Sequence, residues 1–424
     1  MAAYSVGEVK SLPKKLEVPD AVVEITRRLE DNGFETWTVG GAVRDALLGE
    51  YRSDWDLATA ARPDAVRKLF RPSYPIGLQF GTVGVRGSDD YVYEVTTFRR
   101  DIETDGRHAV VEYADELEDD LARRDFTVNA IAYHATQREF RDPFSGWNDL
   151  NAGLLRCVGD PATRFAEDYL RVLRGLRFAG RFHFDIEEGT WEALIAAVPK
   201  LPRLSGERVR EETLKVMASP LPSPSLDLYR KSGAVGVTYP GLDHIEEAAW
   251  HRLLRSIDAL PSRRLRLRLT MFFAPIGGGI EEMMTRLRFS NAEIRDVSAL
   301  RNAIRIPLPR PGDIVTARYW LRAVDPARAR DALRLHAAEA VGRDAGPAER
   351  AELAEQTRLI LNVIRRSDPV VVGDLAIDGN DLKQLGLQPG PEFARILETC
   401  LDMVIEDPEL NTRAKLIETV REWL

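Results

Sequence analysis

The run from Val39 to Asp64, VGGAVRDALLGEYRSDWDLATAARPD, constrains the fold more than any other part of the chain. Thr36 to Val39 is a short β-prone run, Gly40 and Gly41 interrupt it, and AVRDALL continues with helical character. A strand that turns through glycines into a helix points its backbone amides outward, and such a turn holds phosphate. Farther on, Asp54 and Asp56 flank Trp55 and lead into Leu57, Ala58 and Thr59. Residues two apart on a strand share a face, so both carboxylates project together and attract a divalent cation, while Trp55 is expected on the opposite side.

The surrounding segments read as a small mixed α/β sheet. Val22, Ile25 and Leu29 recur at helical spacing after Pro19 and stop at Asn32-Gly33, which predicts a first helix packed beside the phosphate turn. A short helix is expected from Pro63 to Phe70, then two strands, Gly81 to Arg86 and Tyr91 to Phe98, joined by a turn over Gly87 to Asp90. Glu94 is the one acidic residue of the second strand. If that strand lies beside the Asp54–Asp56 strand, Glu94 becomes a candidate third carboxylate, although a solvated strand face explains it equally well. Arg99 to Tyr113 is polar and poor in apolar anchors, which predicts a mobile loop; His108 within it stays unassigned. In DDLARRDFTVNAIA, Asp119 to Ala132, adjacent arginines read either as a solvated helix face or, near a nucleotide pocket, as ligands for phosphate or ribose.

From Asp160-Pro161 the pattern becomes helical. Phe165, Tyr169, Val172, Leu173, Leu176 and Ala179 form one apolar stripe over Ala162 to Phe182. Asp168 and Arg171 are three apart on this predicted helix. They fit an intrahelical ion pair worth a few tenths of a kcal/mol, or a template in which a carboxylate accepts from a base's amino group while a guanidinium donates to its ring. Further helices are expected near residues 188–198, 205–218, 223–232 and 245–259. Arg263 to Arg268 is the most concentrated basic patch of the later chain and a candidate for RNA phosphates. The prolines of RIPLPRPGDIV, from Arg305, predict a break before a last helical part that ends in an amphipathic helix.

Composition sets bounds on partners and compartment. The 424 residues carry a formal net charge of -8, so a nucleic-acid partner requires a local basic surface rather than a global one. Two distant cysteines, Cys157 and Cys400, fit buried apolar sites in a reducing compartment and argue against a disulfide framework or zinc site. The N-terminus lacks the apolar core of a signal peptide, and no run reaches membrane-spanning length, so a cytoplasmic location is expected.

Singly these signals are common, but their order is not. GGAVRD, DWDLAT, YEVTTFRRD, DLARRDFTVNA and EDYLRVLRGLRFAGRF in succession resemble the class II tRNA nucleotidyltransferases, a family of CCA-adding enzymes, their CC-adding and A-adding relatives, and bacterial poly(A) polymerases. The likeness is strong over residues 36 to about 185 and weaker through LRFSNAEIRDV and DGNDLKQLGLQPGPEFARIL. It implies an α+β fold: an N-terminal nucleotidyltransferase (polymerase-beta-like) mixed sheet with helices, then an all-helical C-terminal half. The implied organisation is a leader at 1–18, a catalytic head at 19–150, a base-recognition neck at 151–220, a body at 221–310 and an RNA-binding tail at 311–424.

Carried over residue by residue, the resemblance makes Asp54 and Asp56 the catalytic, metal-binding pair, with Glu94 as the candidate third donor. Gly40, Gly41, Arg44, Arg124 and Asn129 fall at the nucleotide phosphates and sugar, and Asp168, Arg171, Arg174 and Arg177 at the base. It implies two Mg²⁺ ions, CTP and ATP as substrates, and the tRNA 3′ end as partner, with no membrane and no protein partner. The expected activity is template-independent addition of CCA, or of the terminal A, with release of pyrophosphate. Poly(A) polymerase and a non-catalytic RNA-binding relative are the alternatives. CC-adding members tend to lack parts of the 99–113 segment, so its presence favours addition of A. This chain departs from the family in carrying Trp55 where an aliphatic residue is frequent.

Overall fold

The computed structural model describes residues 11–50, 54–104 and 109–424. The chain separates into two compact units, Met1–Asp243 and His244–Leu424.

Among the described residues the first unit carries nine longer strands and eleven α-helices, besides a two-residue parallel pair, Leu154–Leu155 with Asp185–Ile186. Its longer strands are β1 (Thr36–Val39), β2 (Asp56–Thr59), β3 (Ser73–Gly77), β4 (Thr82–Arg86), β5 (Val92–Thr97), β6 (Arg99–Thr104), β7 (Ala109–Tyr113), β8 (Ala132–His134) and β9 (Glu139–Arg141). Its helices are α1 (Asp20–Glu30), α2 (Gly41–Leu47), α3 (Pro63–Leu69), α4 (Leu117–Ala122), α5 (Gly146–Ala152), α6 (Pro161–Glu167), α7 (Leu170–Phe182), α8 (Glu188–Ala197), α9 (Gly206–Ala218), α10 (Ser223–Lys231) and α11 (Ala234–Thr238). Seven strands form one mixed sheet in the order β3-β4-β5-β2-β1-β8-β9. β2 and β5 run parallel, and the neighbouring pairs on either side are antiparallel.

Alternation along the strands sorts the side chains onto two faces. Trp55, Leu57, Val83, Val85 and Val95 pack on one face under Val22, Ile25 and Leu29 of α1 and Val66 of α3. The other face carries Trp37, Val39, Ala58 and Ala132, covered by Leu117 and Leu121 of α4. Asp56 belongs to this second face, since it pairs across the sheet with Val39. The apolar stripe of α1 packs into the same core as Ala42 and Val43 of α2, the helix that the phosphate turn opens. Trp55, 3% exposed, lies in that same core, as expected for a residue between two outward-facing aspartates.

Two expectations are overturned. Arg99 to Tyr113 is not an irregular loop: β6 and β7 pair antiparallel from Arg99↔Tyr113 to Thr104↔Ala109. Backbone hydrogen bonds hold this hairpin, so it leaves little apolar periodicity in the sequence. His108 lies outside the described residues, as do residues 1–10 of the expected leader. The leader's end is not loose, because Leu16 is buried in the α1 core.

In the second half of the unit, α7 packs against α9 and α10. At the α7–α10 crossing, a Cβ on Gly180 would lie 2.3 Å from the backbone nitrogen of Ser225, so only glycine permits this approach.

The regular structure of the second unit is helical: α12 (Glu247–Asp258), α13 (Leu265–Phe273), α14 (Ile280–Arg286), α15 (Asn291–Ala303), α16 (Ile314–Val324), α17 (Pro326–Gly342), α18 (Pro347–Arg366), α19 (Gly379–Gln384), α20 (Pro391–Glu406) and α21 (Arg413–Glu422). The Arg263–Arg268 patch is largely neutralised here. Arg266 bonds Asp296 at 2.7 Å and pairs with Asp331, Arg264 reaches Asp331 at 3.3 Å, and Arg268 is buried with its Nε on the Leu260 carbonyl. Among the described residues no helix is long and apolar enough to cross a membrane.

Candidate active site

A cleft of about 530 Å³ opens on the sheet face that carries Asp56. Its floor is the β1–α2 turn. Gly40 adopts φ +80°, a conformation that glycine alone enters without strain, and this delivers the chain from β1 into α2. A Cβ at Gly40 would stand 3.0 Å from Arg124 Nη1 and 3.8 Å from Asp56 Oδ2, so turn, guanidinium and carboxylate converge at one point. Arg44, one turn into α2, is 4% exposed. Its Nε and Nη2 donate to Asp45 Oδ1 at 2.8 and 2.6 Å, and its Nη1 donates to Asn129 Oδ1. Gly40, Gly41, Arg44, Arg124 and Asn129 all line the cleft.

Asp56 and Glu94 line the same wall. β2 and β5 pair in register from Leu57↔Val95, which sets Asp56 and Glu94 one residue earlier on adjacent strands, on the same face. Burial raises the Asp56 carboxyl, and the nearby charges of Asp54 and Glu94 raise it further, to about 7 against the pull of Arg124. A crowded set of oxygen donors that resists ionisation is suited to a hard divalent cation. Asp54 is exposed just before β2. Among the described residues no three acidic, histidine or cysteine side chains gather into a ready-made metal cluster. The donors are a partial set of the kind that Mg²⁺ completes with water and substrate phosphate.

The arginines opposite are held by acids that sequence reasoning did not single out. Asp120, 1% exposed on α4, accepts from Arg123 Nε at 3.1 Å and from Arg124 Nη2 at 2.9 Å. Its helical spacing of three and four to these arginines was the signal available. Asp125 accepts Asn129 Nδ2 at 2.9 Å on one oxygen and Arg174 Nε at 2.7 Å on the other. Burial alone would raise the Asp125 carboxyl, but Arg174 and the Asn129 amide pull it down to about 2.

The segment expected to read the base differs from its prediction. Ala162 to Phe182 is not one helix: α6 ends at Glu167, Asp168 is extended at φ −154° and ψ 106°, and α7 begins at Leu170. The Asp168 carboxylate accepts the Leu170 backbone N–H at 3.0 Å, a local bond that competes with helix continuation. Its other oxygen accepts Arg208 Nη2, from α9, at 2.7 Å. Asp168 and Arg171 are thus not neighbours on one helix surface. Arg171 pairs with Glu167, and its Nη2 donates to the Arg123 carbonyl at 3.0 Å. Asp168, Arg171, Arg174 and Arg208 all line the cleft. Arg177 does not: it is 5% exposed and bonded to Glu212 Oε2 at 2.6 Å. Arg208 carried no sequence signal, since its partner lies 40 residues away.

The chain resembles known proteins in sequence and fold. Residues 36–156 match the family model of the poly A polymerase head domain, and residues 183–246 match that of the probable RNA and SrmB-binding site of polymerase A. A CCA-adding enzyme of Geobacillus sp. (strain WCH70) is 32% identical over 405 residues, 94% of this chain and 95% of that protein. The crystal structure of the Bacillus stearothermophilus CCA-adding enzyme in complex with CTP superposes with a TM-score of 0.76 at 29% identity, covering 95% of this chain and 98% of that one. The Thermotoga maritima CCA-adding enzyme complexed with tRNA shares the fold at a TM-score of 0.65 and 19% identity, over 96% of each chain.

Proposed function

The chain belongs to the CCA-adding enzyme family, and from that premise we propose that it is a tRNA nucleotidyltransferase that builds the CCA end of tRNA from CTP and ATP, releasing pyrophosphate. The observation that carries this reading is the sharing of one cleft by a phosphate turn, acidic oxygen donors, and Asp168 with Arg171.

In this reading the Gly40–Gly41 turn and Arg124 bind the triphosphate, with Asp120 fixing the guanidinium. Asp54 and Asp56, with Glu94 as a third donor, are the residues that would hold magnesium. When bound, Mg²⁺ supplies charge neutralisation at the phosphates and a lowered pKa for the attacking 3′-hydroxyl. At the other end of the cleft, Asp168 accepts from an exocyclic amino group and Arg171 donates to the adjacent ring nitrogen. The Leu170 and Arg208 bonds leave each Asp168 oxygen a further lone pair. Cytosine and adenine both offer an amino group beside an unprotonated ring nitrogen, whereas uracil and guanine place a carbonyl and an N–H there. Asp168 and Arg171 therefore select C and A without a nucleic-acid template. Arg174 belongs to the same group, and Arg177 supports it from behind through Glu212.

The finer organisation belongs to the same proposal: a head at 19–150, a neck at 151–220, a body at 221–310 and a tail at 311–424, acting in the cytoplasm. The 99–113 hairpin favours addition of A as well as C.

The test is addition of labelled CTP and ATP, with Mg²⁺, to tRNA ending at the discriminator base, at C or at CC. Three, two and one added nucleotides are expected. A long A tail would replace this reading with poly(A) synthesis, and no incorporation would overturn it.

A further inference from the structure

The face of α7 that follows Asp168 does more than read the base. Arg174, Phe178, Arg181 and Phe182 stand at helical spacings of four, three and one, on one side of the helix. The Arg44 guanidinium of α2 lies over both rings of that face, 4.8 Å from the Phe178 centroid and 4.6 Å from that of Phe182. Arg181 lies over Phe182 at 4.7 Å. Its Nη2 is 3.0 Å from Oε2 of Glu50, just past the end of α2, and 3.6 Å from Oδ2 of Asp45, within α2. Asp45 thus faces two arginines, with Oδ1 on Arg44 and Oδ2 on Arg181.

We propose that Arg181 is a positioning residue for nucleotide binding: it docks the phosphate-turn helix α2 onto the base-reading helix α7 and, through Asp45, fixes Arg44 and Asn129 at the cleft. The inference rests on the nucleotidyltransferase reading of the cleft.

The contacts close a circuit. Arg181 meets Asp45, Asp45 holds Arg44, and Arg44 donates to Asn129. Asn129 donates to Asp125, and Asp125 takes Arg174, which returns the chain of bonds to α7. A nucleotide spanning the cleft touches the start of α2 with its phosphates and the start of α7 with its base. The separation of those two ends is therefore set by how α2 sits on α7, and Arg181, like Phe182, joins them without lining the cleft. Its side chain is 20% exposed, so water fills its place more readily than that of Arg44, at 4%.

The experiment uses the full chain and compares wild type, Arg181→Met, Arg181→Lys, Glu50→Gln and the Arg181→Met/Glu50→Gln double variant. Steady-state CTP incorporation on tRNA ending at the discriminator base gives KM and kcat separately, and thermal melting runs alongside. Arg181→Met is expected to raise KM for CTP about tenfold with kcat nearly unchanged, the size expected when a supporting contact behind a site is lost. Arg181→Lys should recover most of the affinity, and Glu50→Gln should show a smaller rise in the same direction. The double variant should be no worse than Arg181→Met alone. An Arg181→Met protein that melts earlier but keeps the wild-type KM would reduce the residue to a packing role and overturn the proposal. So would additive effects in the double variant. A wild-type chain without nucleotide addition would overturn the underlying reading and this inference together, whereas an active wild type with an unshifted variant overturns the inference alone.

Discussion

Replacing Asp125 by Asn should loosen the cleft and the fold at once, by an amount that two independent routes bracket. Asp125 is 7% exposed, and its carboxyl is held down at about 2 because Arg174 and the Asn129 amide outweigh the cost of burial. A depression of about two units below the ordinary aspartate value is worth about 2 kcal/mol of stability. The sign follows from linkage: a lowered carboxylate contributes fully above the unfolded-state value near 4 and loses its contribution as pH falls towards 2. Removing one partner of a buried ion pair costs about 3–5 kcal/mol, and Arg174, with 31% of its side chain exposed, regains part of that from water. Asp125→Asn should therefore destabilise by about 2–3 kcal/mol at pH 7. The amide keeps the acceptor for Asn129 but turns an N–H₂ towards the Arg174 donors. Hydrogen exchange of the α7 amides reads the loss locally, and CTP titration reads the accompanying rise in KM. The gap between variant and wild type should hold from pH 7 to about 4 and shrink only below that. A difference under about 0.5 kcal/mol at pH 7, or one that collapses between pH 7 and 5, would refute the reasoning.

Asp56 has the opposite sign: its carboxyl is raised to about 7, so its contribution is complete below the ordinary aspartate value and is lost as pH rises through 7. Asp56→Asn should abolish nucleotide addition yet stabilise the protein at pH 8, on the order of 2 kcal/mol after allowance for partial exposure, and Mg²⁺ should raise the wild-type melting temperature more at pH 8 than at pH 6. Metal protection that is flat with pH would contradict this. Asp168→Ala should admit UTP and GTP while leaving Mg²⁺-dependent protection intact, as single-nucleotide incorporation assays would show; retained preference for CTP and ATP would sink the template role. Trp55→Ala should cost about 3–5 kcal/mol through a cavity in the sheet core. Urea unfolding measures that loss, and the folded fraction should keep its kcat.

What the sequence made legible was local. The strand, glycine turn and helix from Thr36 to Leu47 are specified by neighbouring residues, and so is the placing of Trp55 opposite Asp56. The misread elements depended on distant partners. The β6–β7 hairpin is held by backbone pairing, which demands no apolar alternation. The break at Asp168 needs a side chain that prefers Leu170 N–H and an arginine from α9 to hold it there, so an unbroken apolar stripe concealed it. Arg263 to Arg268 looked like a phosphate surface because Asp296 and Asp331, which neutralise Arg266, lie 30 and 65 residues away.

Pairing within the chain, local and long-range, also governs the arginines of the cleft in a protein of net charge -8. Arg44, Arg124, Arg171, Arg174 and Arg208 line that cleft, and each is paired to a carboxylate of this chain: Asp45, Asp120, Glu167, Asp125 and Asp168. These acids cancel much of the positive field but fix the guanidinium planes before any ligand arrives. Such a site offers an anion oriented donors rather than a concentrated charge, so attraction at a distance is weak and geometry decides what stays. Under the proposed function, the remaining charge of a triphosphate would fall to a cation held by Asp54, Asp56 and Glu94, which would make phosphate binding and the acidic donors one electrostatic unit. The proposed base choice would follow the same logic, because the Asp168 carboxylate is held outside the helix by Arg208 and the Leu170 N–H.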